Sequence, residues 1–343
     1  MLKPTTIQAM TVAVAICGAS SLQAQEYKAT LAHFASIAAY QAPAAAAFKN
    51  YVEVASGGNI EISITTIEAL GPEREVVDQV RLGELQFVTP NAGGLAGAFP
   101  SAQVWNLPFL FPNRAIAWAT FQDRDYIKVV DAQIQKETGG LLRYLGAGEN
   151  SVRHLYTTRG PIREPQDMAT HGIKIRTMEV PMHQQIWTAL MASSIVALPA
   201  AERYTALQTG MIDATEGGLN SALSAGLLEV APHVSLTAHM YDVTAWIANA
   251  EFMASLPENY QRIIEEGVAI ATHVQNGYAL TVDNATLIQI IEAGMEVVEP
   301  NAEEREKWRE LAAPVGERFV GETADADFVA ATLAAVEKVK QGF

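Results

Sequence analysis

Two arginines near the middle of the chain are placed to do chemistry. Arg176 lies in "HGIKIRTMEVP", where Ile173 and Ile175 alternate with Lys174 and Arg176 in the pattern of a short half-buried strand. Arg153 follows a strand-like run in "ENSVRHLYTTR". A guanidinium at the end of a strand offers a planar fork that gives a carboxylate two parallel charge-assisted hydrogen bonds. His33, Asn91, Glu149, Asn150, Thr215 and Glu216 also fall at or near the carboxyl ends of predicted strands, where open α/β sheets bind ligands. Taken singly, each reads as well as a polar loop residue. Glu216 has a further alternative as the cap of the following helix, and Arg153 as a structural ion pair. Tyr241 stays open between ligand contact and packing, whereas Trp187 and Trp246 sit in apolar runs and read as core.

The inventory for catalysis is poor. The only cysteine is Cys17, inside the leader described below, so the mature chain has no thiolate nucleophile and no Cys-bound zinc. The seven histidines form no HExxH, and His233 and His239 lack a neighbouring cysteine or carboxylate pattern. "NAGGLAG" follows a strand but lacks the GxGxxG spacing of a dinucleotide site. No GxSxG elbow occurs, and "EREVVD" reads as a solvated helix start rather than a catalytic pair. No metal, cofactor or enzymatic activity is expected on these grounds. Acid and base residues need not be close in sequence, however.

These candidates need elements to hold them. "MLKPTTIQAMTVAVAICGASSLQAQ" has an early lysine, an apolar run too short to span a bilayer and a small-residue exit. It reads as a secretory signal peptide over 1–24, cut after Ala24, and Ile16 before Cys17 argues against lipidation. The net charge is −15, and −16 once Lys3 is lost. An acidic chain without basic clusters argues against nucleic acid or an anionic membrane surface as partner, and no later run is apolar enough to insert in a membrane. Beyond the leader, strand-like and helix-like segments alternate. "YKATLAHF", "IEISITTI", "LQFVTPN", "LLRYLGAG", "IKIRTM", "SIVALP", "MIDATE" and "TAHMYDVTAWIANAEF" read as strands. An unusually long helix is predicted from Pro257 to about Ala293, and two helices close the chain. Such alternation gives an α/β fold with largely parallel sheets, and 343 residues suit two domains.

The stretch "HGIKIRTMEVP…AAERYTALQTGMIDATEGGLNSALSAGLLEVAPHVSLTAHMYD", with "GPEREVVDQVRLGELQFV", "WNLPFLFPNRAIAW" and "GAGENSVRHLYTTRGPI" before it, resembles the solute-binding subunits of TRAP (tripartite ATP-independent periplasmic) transporters, the DctP-type family. The resemblance covers essentially the whole mature chain. It implies a two-lobed periplasmic binding protein fold with a ligand cleft between the lobes and one long helix spanning both. Lobe I is expected over 25–150 plus about 238–278, and lobe II over 151–237 plus about 279–343. It implies hinge closure on an organic acid, with delivery to a membrane permease driven by an ion gradient. Family ligands include C4-dicarboxylates, keto acids, sugar acids, sialic acids and ectoine.

Arg176 matches the family's carboxylate clamp and Arg153 its second ligand arginine. The family's Asp-Gly-Gln-Glu-Asn-Pro motif is "DATEGG" here, so Gly217 stands where a ligand-contacting Asn is usual. Ectoine binders carry an acid just after the first strand's histidine, where this chain has Phe34 and Ala35, which disfavours ectoine. An exported enzyme on a similar fold, or a receptor presenting its ligand to a sensor kinase, are the alternatives.

Overall fold

The computed structural model describes residues 26–34, 38–178 and 181–342. The expected leader, with Cys17, lies outside them, as does Ala35. The eight predicted strands form, and a ninth follows the long helix: β1 Tyr27–His33, β2 Ile60–Thr66, β3 Phe87–Val88, β4 Leu142–Thr157, β5 Lys174–Thr177, β6 Ser194–Ala197, β7 Ala214–Gly218, β8 His233–Asn249 and β9 Glu296–Val298. They join in the order β2-β1-β3-β8-β4-β7-β5-β6, with β9 beside β8.

β1 pairs in parallel with β2 and β3 at one end, and β5 pairs in parallel with β6 and β7 at the other. Between them β4 and β8, of 16 and 17 residues, run antiparallel along nearly their whole length. β4 runs past its sequence-predicted extent, because its polar and glycine-containing middle carries no strand pattern of its own. That middle is held extended by β8. β8 itself starts earlier than expected, at His233, and ends at Asn249, short of the expected Phe252. The β4–β8 register shifts between Tyr144 and Gly146, Glu149 and Ser151, and Arg153 and Leu155, and such bulges bend and re-aim a strand. At the third shift Ala238 of β8 takes a φ of 46°, and its N–H donates to His154 Nδ1 at 3.2 Å.

Two lobes follow from four apolar clusters, one on each face of each end of the sheet. Tyr144 and Ile247 point to one face, into a core with Val88, Trp105 and Phe121. Their neighbours Leu145 and Trp246 point to the other, with Leu31, Phe48, Ile60 and Phe87. In the second lobe Leu155 packs with Ile175, Ile186, Trp187 and Trp308, and adjacent Tyr156 packs with Leu207, Ile212, Leu219 and Val234. This is the period of two expected of strands covered on both sides. Trp187 and Trp246 are core residues, each 2% exposed.

The long helix, Glu258–Glu292, has 35 residues and is about 52 Å long at 1.5 Å per residue. It packs on helix Ala38–Ala55 and β4, then on helix Leu219–Ser224 and β9, and so spans both lobes. Gly267 permits the close approach at one end, since a Cβ there would sit 2.9 Å from Val52 and 3.1 Å from Phe48. The closing helix Ala326–Gln341 packs on the first of these clusters. Phe328 and Val336 belong to the first lobe's core, and Tyr126 Oη lies 3.0 Å from Thr332 Oγ1. The apolar face of this helix is matched to helices Arg114–Gln122 and Arg124–Thr138.

Candidate functional site: a cleft between the lobes

A cleft of about 420 Å³ opens where the lobes meet. The first lobe contributes Phe34, Tyr40, Glu73, Arg74, Asn91 and Gly94; the second contributes Arg153, Arg176, Met178, Pro199, Arg203, Gly217 and Ser221. Asn150 and Ser151 of β4 and Asp242 of β8 line it at the crossing. Four arginines face two acids, so the lining is cationic although the chain as a whole is acidic.

Arg176 is brought here by β5, whose Ile175 is anchored in the core. It is buried, and Nε donates to the Leu198 carbonyl at 2.8 Å, with Nη2 donating to the same oxygen. That fixes one edge of the fork against the turn after β6.

Arg153 is held differently. β7 and β8 flank it, pairing it with Gly218 and Met240. Nε and Nη2 each donate to one Glu216 oxygen at 2.6 Å, and Nη1 donates to Asp242 Oδ2 at 3.2 Å. Asn150 Nδ2 donates to the same Asp242 oxygen at 2.8 Å. Burial disfavours charge on both members of the principal pair. The mutual attraction nevertheless holds the Arg153 pKa above its ordinary value and the Glu216 pKa well below. Asp242 is raised, burial outweighing Arg153. His239 stands behind, Nε2 at 3.5 Å from Glu216 and its ring edge-on to Trp187.

On the opposite wall, Glu73 accepts the Asn91 N–H at 2.7 Å, while Asn91 Oδ1 caps helix Ala92–Leu95 by accepting from Gly94 N at 2.9 Å. Two glycines of "NAGGLAG" have a packing reason. A Cβ at Gly94 would lie 2.2 Å from Glu73 Cδ, and one at Gly97 would lie 2.8 Å from Arg74 Nε. Burial pushes the Glu73 pKa up to about 8; the Asn91 N–H opposes this, and the charges of Asp242 and Glu68 add to it.

Of the sequence candidates, the cleft gathers Arg153, Arg176, Asn91 and Asn150. It does not gather His33, Glu149, Thr215, Glu216 or Tyr241. Buried His33 places Nδ1 2.9 Å from the Phe34 carbonyl. Glu149 accepts from Trp118 Nε1 at 2.6 Å and pairs with Arg114 at 2.8 Å, in a cluster that Asp283 of the long helix completes. Burial pushes its pKa up to about 7 against the pull of Arg114. Thr215 is fully buried beside β5, and Tyr241 stacks edge-on to Phe111 at 6.4 Å. Glu216 is spent on Arg153. Sequence reasoning missed Glu73, Arg74, Arg203 and Asp242. Glu73 was hidden because an acid in a first helical turn is ordinary, although here it faces the cleft. Arg203 was hidden inside "AAERYTALQTG", where it looks like a surface residue of a helix.

Among the described residues, no group of three or more His, Cys, Asp or Glu is placed to hold a metal ion. No described helix is long and apolar enough to cross a membrane.

A family model for bacterial extracellular solute-binding proteins, family 7, matches residues 31–322. The ectoine-binding periplasmic protein TeaA of Halomonas elongata is 30% identical over 307 residues, 87% of each chain. A TRAP periplasmic solute-binding protein from Ochrobactrum anthropi, solved with a C-terminus bound in its ligand pocket, is similar with a TM-score of 0.85. It is 27% identical, and the match covers 93% of this chain and 97% of that one. The sugar acid binding protein of Advenella mimigardefordensis, solved with galactonate, has a TM-score of 0.77 and 25% identity, covering 91% and 98%.

Proposed function

The chain belongs to the bacterial extracellular solute-binding proteins of family 7, and on that premise we propose that it encloses a small organic acid between its lobes and delivers it to a TRAP membrane permease. The observation that carries this reading is buried Arg176, braced on the Leu198 carbonyl at the wall of a cleft that both lobes line. A braced guanidinium is pre-organised for a carboxylate, so little entropy is lost on binding. The relatives agree in chemistry: galactonate is an acid, and a protein C-terminus carries a carboxylate.

Closure requires a ligand that interacts more strongly with the closed state than with the open one. Arg176 and Arg153 on one wall and Asn91, Glu73 and Arg74 on the other are the groups such a ligand would bridge. We assign lobe I to 26–150, about 238–278 and 326–341, and lobe II to 151–237 and about 279–323. The crossings β4, β8 and the long helix then form the hinge. The leader reading places the protein in the periplasm, and the task is binding rather than turnover.

The test is a thermal-shift screen of organic acids followed by calorimetry on Arg176→Ala, since a tight ligand raises Tm by mass action. An acid should stabilise the wild type, and the variant should lose at least 100-fold in affinity while still melting cooperatively. Unchanged affinity removes Arg176 as the clamp. Stabilisation by neutral or cationic compounds alone refutes the acid reading, and conversion of the bound acid to a product would reveal an enzyme.

A further inference from the structure

The strongest unexplained charge in the cleft is Arg203. It is 6% exposed and lines the cavity, yet its protein partners are neutral. Nε donates to the Ala200 carbonyl at 3.0 Å and Nη2 to Ser221 Oγ at 3.0 Å. It makes no ion pair with any described residue. Arg153 behaves in the opposite way, with Glu216 and Asp242 both on it. Burial lowers the Arg203 pKa; Glu216 offsets this only from a distance, and Arg153 adds to it. A buried guanidinium without a counter-charge is expensive, and two neutral acceptors could be served equally well by an uncharged amide.

The backbone beside Arg203 leaves its fork approachable. Gly217 has a φ of +155°, and a Cβ on it would lie 3.3 Å from Arg203 Nη1. The cavity floor beside that nitrogen is therefore bare backbone. Arg176 and Arg203 are braced on carbonyls only two residues apart, Leu198 and Ala200, so the two forks flank one turn at Pro199. A molecule seated on Arg176 by one acid group can offer a second to Arg203 across a short skeleton.

Resting on the organic-acid reading above, we infer that Arg203 is a second anion-binding residue that gives the cleft its specificity, selecting acids with two anionic groups on a short carbon skeleton over matched monoacids. The bare floor at Gly217 keeps the approach to Nη1 open, and Ser221 holds the far side of the fork. Arg153 supplies no net charge for this purpose because its own carboxylates neutralise it.

The experiment compares matched pairs on the wild-type chain by calorimetry: succinate with butyrate, malate with 3-hydroxybutyrate, and galactarate with galactonate. At least one diacid should bind ten-fold or more tightly than its monoacid. Arg203→Gln, which keeps a donor for Ser221, should weaken that diacid at least 30-fold and change the monoacid less than three-fold. Arg203→Lys, which keeps the charge but not the fork, should fall between. Equal binding of diacid and monoacid by the wild type overturns the inference while leaving the organic-acid reading intact. So does an equal loss of both ligands in Arg203→Gln, which is the result a purely structural role would give. Arg176→Ala separates the two proposals, since it should abolish both members of a pair. Absence of binding by every acid in the screen removes both proposals together.

Discussion

Arg153 and Glu216 meet side by side across the β4–β7 pairing, with two nitrogens each 2.6 Å from a different carboxylate oxygen. This bidentate pair is buried at the point where the crossing strands enter the second lobe. Glu216→Gln would leave Arg153 buried with Asp242 alone, and breaking a buried pair from one side costs about 3 kcal/mol. The urea midpoint of Glu216→Gln should fall accordingly with m unchanged. The pH dependence has a definite sign, because the Glu216 pKa is depressed in the folded state. Its contribution is present above the unfolded value of about 4.3 and is lost as pH falls below that toward the folded pKa. The difference between wild type and variant should therefore narrow on acidification below about pH 4.3. A midpoint equal to wild type at pH 7 would show that the pair contributes nothing.

Much of this arrangement was legible in the sequence, and the remainder was not for identifiable reasons. β1, β2 and β5 announce themselves by alternation, and the long helix by its length between Pro257 and Gly294. The lower half of β4 was invisible because "GENSVRH" has no alternating pattern; antiparallel pairing with β8 makes it a strand. Arg176 could be read because a strand end and a family motif coincide on it. Arg203 and Glu73 could not, since each looks like a helix-start residue until the opposite lobe is in place. Glu149 and Glu216 have the right residue type near strand ends. Three-dimensional pairing with Arg114 and Arg153 is what takes them out of the cleft.

Gly94 is a narrow point in the first lobe's wall. Its φ is not in the left-handed region, so an alanine is permitted by the backbone, and the obstacle is the Glu73 side chain 2.2 Å from the new Cβ. Gly94→Ala must push Glu73 off the Asn91 N–H, at a cost of about 1–3 kcal/mol for overpacking and the lost bond. In the Glu73→Ala background the same substitution should cost less than about 0.5 kcal/mol, because the clashing atoms are gone. Chemical denaturation of the four chains gives the coupling directly. Additive costs would mean that Glu73 does not occupy that space.

Glu73 also gives the cleft a pH response of opposite sign to that of Glu216. Burial holds its pKa at about 8 in the folded protein, against about 4.3 unfolded. The folded state therefore binds more protons between those values, and its stability falls as pH rises through that window. Glu73→Gln stays uncharged and can still accept the Asn91 N–H. It should thus match the wild type near pH 5 and exceed it at pH 9. The side chain is half-buried and water screens part of the penalty, so the gain is about 1 kcal/mol, or about 1–2 °C in Tm. The same ionisation adds a negative charge to the wall facing Arg176, so wild-type affinity for an acid should drop between pH 7 and pH 9 while the Gln variant holds its affinity. Thermal melts and calorimetry across that range read both effects, and parallel profiles for the two chains would show that Glu73 does not titrate there.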